Sequence, residues 1–316
     1  MRFDTLRGLT LVLPLVALTV PSRVAPAAAS STQAARLSLD EARAYMLQLI
    51  NRDRATKDLM PVELDPIASN SGQKHSEEMA SQRYLSHYNM AGKPPDQRYT
   101  EAGGVHYDRE NVYLSTTRYR GETPSDNSSL PITAAPTFTR TEIEEIEASY
   151  FNETPPHDGH RKNILAPEHT HVGIGLGRAG DNTMRNLANS QEFVDRYIEV
   201  SPIPQACGIN DEITVSGRAT GEVKLRSISV GRSALPVAMS RAQLMETRSY
   251  STPSPSVSYW PAPYRSARRV QTTKDGRFSV AVPMAPRGES GLYYVAIWVE
   301  ADGRDLLASL RTVVVK

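Results

Sequence analysis

The sequence predicts an α+β protein: a mixed, helix-bearing first part followed by an all-β second part. Three observations carry this. Between residues 38 and 165 apolar residues recur at helical spacing behind capping signals. Beyond residue 210 they alternate with period two. Between the two regimes the composition shifts at "SPIPQACGIN", Ser201 to Asn210.

The first helix is expected in "LSLDEARAYMLQLINRDR". Ser38 and Glu41 form a capping box, and Ala42, Met46, Leu49 and Ile50 make one apolar stripe. A second helix begins with Asp65 as N-cap and Pro66 at the first helical position, carries Ile67, Ala68, Ser71, His75 and Met79 on one face, and should end near Leu85. His75 then reads as a satisfied core residue. "NMAGKPPDQRYTEAGG" reads as a loop from its Gly and Pro punctuation, and residues 115–138, rich in Ser, Thr and Pro, as a long surface loop. A third helix is expected from Thr141, with a Thr141/Glu144 box and an apolar face of Ile143, Ile146, Tyr150 and Phe151. "HVGIGLG" reads as a short central strand, and "LANSQEFVDRY" holds another with Phe193 inward.

After the expected linker at 201–210, "EITVSGRA", "GEVKLRSISVGR", "GRFSVAVPM", "GLYYVAIWVEADG" and "LLASLRTVVVK" read as strands. Asp275-Gly276 and Asp302-Gly303 mark hairpin turns, because glycine accepts the positive φ such turns require. Several strands in residues 211–316 predict a β-sandwich of immunoglobulin type, with "STPSPSVSYWPAP" as a flexible insertion.

Composition narrows the function. The chain has 316 residues, 22% of them charged, and a net charge of +1, so no global field points to nucleic acid or an anionic membrane. Arg2 and Arg7 precede the apolar run Leu9 to Val20 and then small residues, the order of a secretory signal peptide over residues 1–29 that is removed after Ala27 or Ala29. The run is broken by Pro14 and is shorter than the roughly 20 residues that span a bilayer, so no transmembrane segment is expected in the mature chain. A secreted or periplasmic location follows. With one cysteine, Cys207, no internal disulfide can form, so packing alone must hold an exported chain together. Asn127-Ser128-Ser129 matches a glycosylation acceptor, a tripeptide common by chance.

Four stretches occur in a recognisable order: "HSEEMASQRYLSH", "AGGVHYDRENVY", the helix ending "SYFNE", and "HRKNIL" followed by "VGIGLG" and "SQEF". In this order they resemble the CAP superfamily, also called SCP-like (cysteine-rich secretory proteins, antigen 5 and pathogenesis-related proteins), in its bacterial branch. The resemblance covers about residues 38–200. It implies an α-β-α sandwich with an open cleft, lined by two histidines and two glutamates at His87, Glu110, Glu153 and His160. Glu147 competes with Glu153 for its place, since it falls nearer the middle of the third helix's apolar face; Glu153 is preferred because it follows the aromatic pair Tyr150-Phe151. Arg109 stands where the family often has glycine, and its long cationic side chain can pair with Glu110 or narrow the cleft.

Such a set can bind zinc or another divalent cation through imidazole nitrogen and carboxylate, act as acid and base, or simply knit loops to helices. No H-E-x-x-H pattern and no serine or cysteine in a nucleophile context accompanies it. The leading expectation is a non-catalytic exported binding module for an extracellular ligand. The resemblance implies a lipid for some members, and a cell-envelope component is the other class. The alternatives are a metal-dependent extracellular hydrolase of peptidase type and a structural envelope protein.

Overall fold

A computed structural model describes residues 36–118, 136–180, 184–247 and 249–316. The signal-like segment and Asn127 lie outside them. Among the described residues no helix is long and apolar enough to cross a membrane.

Helix α1 (Leu39–Ala55) starts at Ser38, whose backbone N–H donates to Glu41 while its hydroxyl accepts from the Glu41 N–H. Strand β1 (Glu63–Leu64) leads into α2 (Pro66–Gln82), where Asp65 accepts from the N–H groups of Ile67 and Ala68. The helix stops at Gln82, earlier than Leu85, because Arg83 takes a left-handed conformation at φ 59°. The expected loop around residue 95 contains a short helix, α3 (Pro95–Glu101), which starts at the only point a proline pair allows, with Pro95 in the first turn. Strand β2 (Tyr107–Arg118) runs into what was expected to be surface loop.

Helix α4 (Arg140–Phe151) is capped by Thr139 and Glu142, not Thr141 and Glu144. Both pairs satisfy the box spacing. The earlier wins because Phe138 is pinned in a bridge to Leu37 and fully buried, which fixes where the helix must begin. Glu144 instead accepts from Tyr45 on α1. A one-and-a-half-turn helix, α5 (Gly159–Ile164), precedes β3 (His171–Gly180) and β4 (Met184–Asp195).

The first sheet has the order β1-β3-β4-β2, so β2 is an edge strand. Its two faces explain the spelling of β3. Val172, Ile174 and Leu176 point to the α1/α4 side and join Met46, Ile143 and Ile146 in one core. Gly173, Gly175 and Gly177 point to α2, and a Cβ on them would stand 2.2, 2.1 and 2.1 Å from the backbone of Ala68, Gly72 and Ser76. The alternation sets α2 directly on the sheet. Beyond the short β1, side chains finish the edge of β3: Arg43 donates to Ile174 O, Ser69 accepts from Ile174 N, and Gln73 bonds both N and O of Leu176.

The second part holds two more sheets. One has the order β10-β11-β7-β5, from Gln271–Thr272, Arg277–Pro283, Glu212–Ala219 and Ile198–Val200. The other runs β6-β13-β12-β8-β9, from Ala206–Cys207, Arg304–Val315, Gly291–Ala301, Lys224–Ser233 and Pro255–Tyr259. Val215, Phe278 and Val280 of the first share a core with Ile228, Val295 and Ile297 of the second. Strand β6 lies in the segment expected as linker, and β9 in the segment expected as a flexible insertion, where it pairs with β8.

The outer face of the five-stranded sheet is also covered. Leu292, Tyr294, Ala296 and Leu310 pack with Tyr107 at the start of β2, which is why "GLYYVAIWVEA" reads as an unbroken apolar run. Thr100 Oγ1 accepts from Thr312 N at 3.1 Å and Val105 O from Ser309 Oγ at 2.5 Å. Between β8 and β9 the chain leaves its sheet, forms helix α6 (Arg241–Glu246) and lies against the first part.

Candidate functional site

Two histidine–carboxylate pairs come from opposite layers of the first sheet. His87 follows the left-handed turn that ends α2, and its Nδ1 lies 2.9 Å from Glu110 Oε2 on β2. His160, in the first turn of α5, has Nδ1 2.6 Å from Glu153 Oε1, while its backbone N–H donates to Glu153 Oε2 at 2.8 Å. Glu153 thus orients the imidazole and satisfies an open N–H at the start of α5 at once. All four residues are buried. The two imidazoles are close enough that a charge on one opposes a charge on the other.

The register of β2 explains the convergence. Glu110 stands opposite Glu192 on β4 and faces α2; its neighbour Asn111 stands opposite Gln191 and faces α4 and α5. Asn111 Nδ2 donates to His160 O at 3.3 Å and its Oδ1 accepts from Asn163 at 3.0 Å. The asparagines of "ENV" and "HRKNIL" therefore bond to each other, and that bond ties the two motifs across more than fifty residues.

Glu110 is held ionised. Burial works against its charge, but Arg98 at 2.7 Å, the neighbouring histidines and the bond from His87 outweigh it and keep the carboxyl well below its usual range. Ser190 Oγ donates to it as well, at 2.9 Å. An ionised carboxylate only accepts, so His87 carries its proton on Nδ1 and turns Nε2 outward as a lone pair. Burial, first of all, lowers the His87 pKa and favours that neutral form. Neither His87 Nε2 nor His160 Nε2 has a hydrogen-bond partner among the described residues.

The carboxylates are engaged with Nδ1, which places them behind the imidazoles rather than beside Nε2. Among the described residues no three His, Cys, Asp or Glu side chains are grouped to hold a metal ion. The set does not fit a zinc site with three or four protein ligands.

Other expectations resolve individually. Glu147 is buried on the α1 side, donated to by Gln191 at 2.6 Å, with its pKa raised by burial to about 8; it takes no part in either pair. Arg109 turns away from Glu110 and pairs with Glu168 and, at 3.9 Å, with Asp195, because its neighbour Glu110 takes the other face of the strand. His75 is buried against Ser86 O at 2.8 Å, and burial lowers its pKa to about 3. His157 is exposed.

Two contributors carried no sequence signal. Arg98 lies in the helix read as loop and bonds Glu110, Glu192 and His87 O. Tyr250 comes from the second part, far along the chain. Its ring centroid is 4.8 Å from that of His87, and its hydroxyl accepts from Glu110 N at 3.3 Å. A third histidine–carboxylate pair, His169 Nδ1 to Asp195 Oδ1 at 2.6 Å, is buried elsewhere, stacked on Phe193.

Residues 47–193 match the profile of the cysteine-rich secretory protein family, CAP. The Uncharacterized protein YkwD of Bacillus subtilis (strain 168) is 27% identical over 160 residues, which are 49% of this chain and 51% of the relative, so the chain spans about half the length of the curated relative it matches. Among solved structures, an extracellular protein containing a SCP domain from Bacillus anthracis is 18% identical, covering 51% of this chain and 44% of its own, with a TM-score of 0.34. An outer surface protein from Borrelia burgdorferi is 13% identical, covering 51% of this chain and 99% of its own, with a TM-score of 0.35. The family match, with its motifs on β2, α4 and α5 as described, makes residues 47–193 a CAP (SCP-like) domain of the bacterial kind.

Proposed function

We propose that the protein is an exported, non-catalytic binding module whose ligand meets His87 and His160. The observation that carries this reading is the pair of carboxylate-oriented imidazoles, each with Nε2 directed away from its carboxylate and without a partner among the described residues. Such nitrogens can accept a hydrogen bond or coordinate a weakly held cation with water completing its shell. No serine or cysteine stands in contact with either imidazole among the described contacts, which favours binding over nucleophilic hydrolysis.

Export rests on the signal-like residues 1–29 and agrees with the words "extracellular" and "outer surface" in the names of two similar structures. The second part is read as an immunoglobulin-like sandwich that carries the CAP domain; its two sheets around one apolar core support that reading.

The test uses the mature chain and a His87→Ala/His160→Ala variant, with circular dichroism to verify the fold. Cosedimentation is measured with purified cell-wall sacculi and with vesicles of phosphatidylglycerol and phosphatidylethanolamine. Binding to either that the variant loses supports the module. Turnover of a quenched fluorescent peptide library, with and without zinc, that the variant loses would replace it with a hydrolase. A folded wild type that binds neither probe, with a variant that melts far lower, would leave the pairs a structural cluster.

A further inference from the structure

Strands β8 and β9 are antiparallel neighbours in one sheet. A hairpin needs about 2–5 residues to join such strands. Here residues 234–254 intervene, 21 residues between Ser233 and Pro255. Most of them leave their own sheet: residues 237–247 lie against the end of α2 and the turn after it, and Tyr250 reaches the free edge of β2.

The docking is specific. Leu244 of α6 is fully buried among Met79, Ala80, Tyr84 and Val112, and Met239 packs beside it. Met239 N donates to Met90 O at 2.9 Å, and Arg241 Nε to Arg83 O at 2.7 Å. Gly92, at φ +73°, has no room for a Cβ, because Val237 O would stand 2.1 Å from it. From this anchorage the chain continues to Tyr250, which covers His87 and takes up the Glu110 N–H of the edge strand. His87 is left 2% exposed.

We infer that residues 237–247, together with Tyr250, are a built-in cover over the His87 side of the tetrad: Tyr250 occupies the approach to His87, and a ligand reaches that imidazole only when the strap lifts. The occupant is the chain itself. The device suits release, because its hold is local: one buried leucine, one half-buried methionine, the Met239–Met90 backbone hydrogen bond and a few hydrogen bonds through the side chains of Arg241, Met245, Ser86 and Tyr250 fasten a six-residue helix and the residues after it. Segments with so little buried apolar surface open well below the free energy of global unfolding. His160, from the other layer, contacts Tyr150 rather than Tyr250 and is not under the cover.

This inference concerns access to the site of the proposed function. Its test reads the imidazoles and amides themselves, so either can fail without the other. Carbethoxylation of each histidine is followed by peptide mapping in the whole mature chain. In the wild type, His87 should react far more slowly than exposed His157. Tyr250→Ala should raise the His87 rate about tenfold and leave His157 and buried His75 unchanged, whereas Tyr250→Phe, which keeps the ring, should stay near wild type. Amide exchange on the unmodified protein provides a measurement independent of any variant: the N–H groups of Leu244 and Thr247 should exchange much faster than those of β4. A wild-type His87 as reactive as His157, or a folded Tyr250→Ala with the wild-type rate, would overturn the cover. Leu244 and Thr247 amides as protected as those of β4 would make the strap a fixed wall and overturn its release.

Discussion

Among the described residues, Arg98 is the cation set into a crowded, buried acidic region. It bonds Glu110 and Glu192, and Asp96 and Asp108 lie near it with carboxylate oxygens that have no hydrogen-bond partner among the described residues. Arg98→Met should cost on the order of 3–5 kcal/mol, because it strands buried charge, and a thermal melt at pH 7 reads the loss directly. Asp96 supplies a pH test. Burial, and after it the acidic neighbour Glu110, push its pKa from 3.8 up to about 7 against the pull of Arg98; Asp108 and, from the second part, Tyr250 and Tyr294 also face it. A carboxyl raised on folding holds its proton more tightly in the folded state. Its stabilising share is therefore complete below pH 3.8 and is lost as pH rises through about 7. Asp96→Asn should match the wild type near pH 4 and melt higher at pH 8, with each ~1 kcal/mol gained read as about 2–4 °C. The histidines have the opposite sign: His75, lowered to about 3, loses its share as pH falls below 6.5, but it does so in both proteins, so their difference isolates Asp96. At this scale the sequence named the four motif residues and not their supports. Arg98 sits in no pattern, and Tyr250 is brought to Glu110 by tertiary folding across 140 residues.

The elements that announced themselves did so through local chemistry. Ser38 and Asp65 cap their helices where side-chain and backbone spacing demanded it. The Asp302-Gly303 turn is legible because both residues take positive φ, 51° and 71°. Where two local solutions competed, at Thr139 and Thr141, only the pinned Phe138 decided between them. Thr139→Ala should therefore cost about 1 kcal/mol in denaturant midpoint while Thr141→Ala costs a few tenths. Strand β2 escaped notice because it buries Asp108, Glu110 and Asn111, which no apolar alternation announces. Helix α6 escaped because one buried leucine is not a period. The glycines of β3 give the firmest element-scale test. Gly175→Ala would place a methyl 2.1 Å from Gly72 O, a backbone atom that cannot turn aside. It should destabilise the protein by about 3 kcal/mol or more, visible as a lowered urea midpoint, while Gly221→Ala, with open space around it but φ +64°, should cost about 1 kcal/mol.

At the scale of the whole molecule the two parts are joined more closely than a tethered pair. Tyr107 is packed under Leu292 and Tyr294, Thr100 bonds β13, and the strap crosses back over α2. The full mature chain should unfold in one calorimetric transition. A fragment of residues 36–200 bares the groove beneath Leu244 and the surface around Tyr107, and should melt about 5–10 °C lower. The change of periodicity near Ser201 is a local signal, although Ile198–Val200 before it already pairs with β7; the shared interface carried none, because buried contacts between distant stretches leave no mark on either one. The chain order of the strap has a consequence in time. Synthesis proceeds from the N-terminus, and domains fold as they emerge. The segments that carry His87 and His160 are complete while Tyr250 has yet to be made. Under the proposed cover, the His87 side of the tetrad is bare at that stage and is closed only as the chain lengthens, so a molecule present during that interval would be enclosed without having to displace the strap.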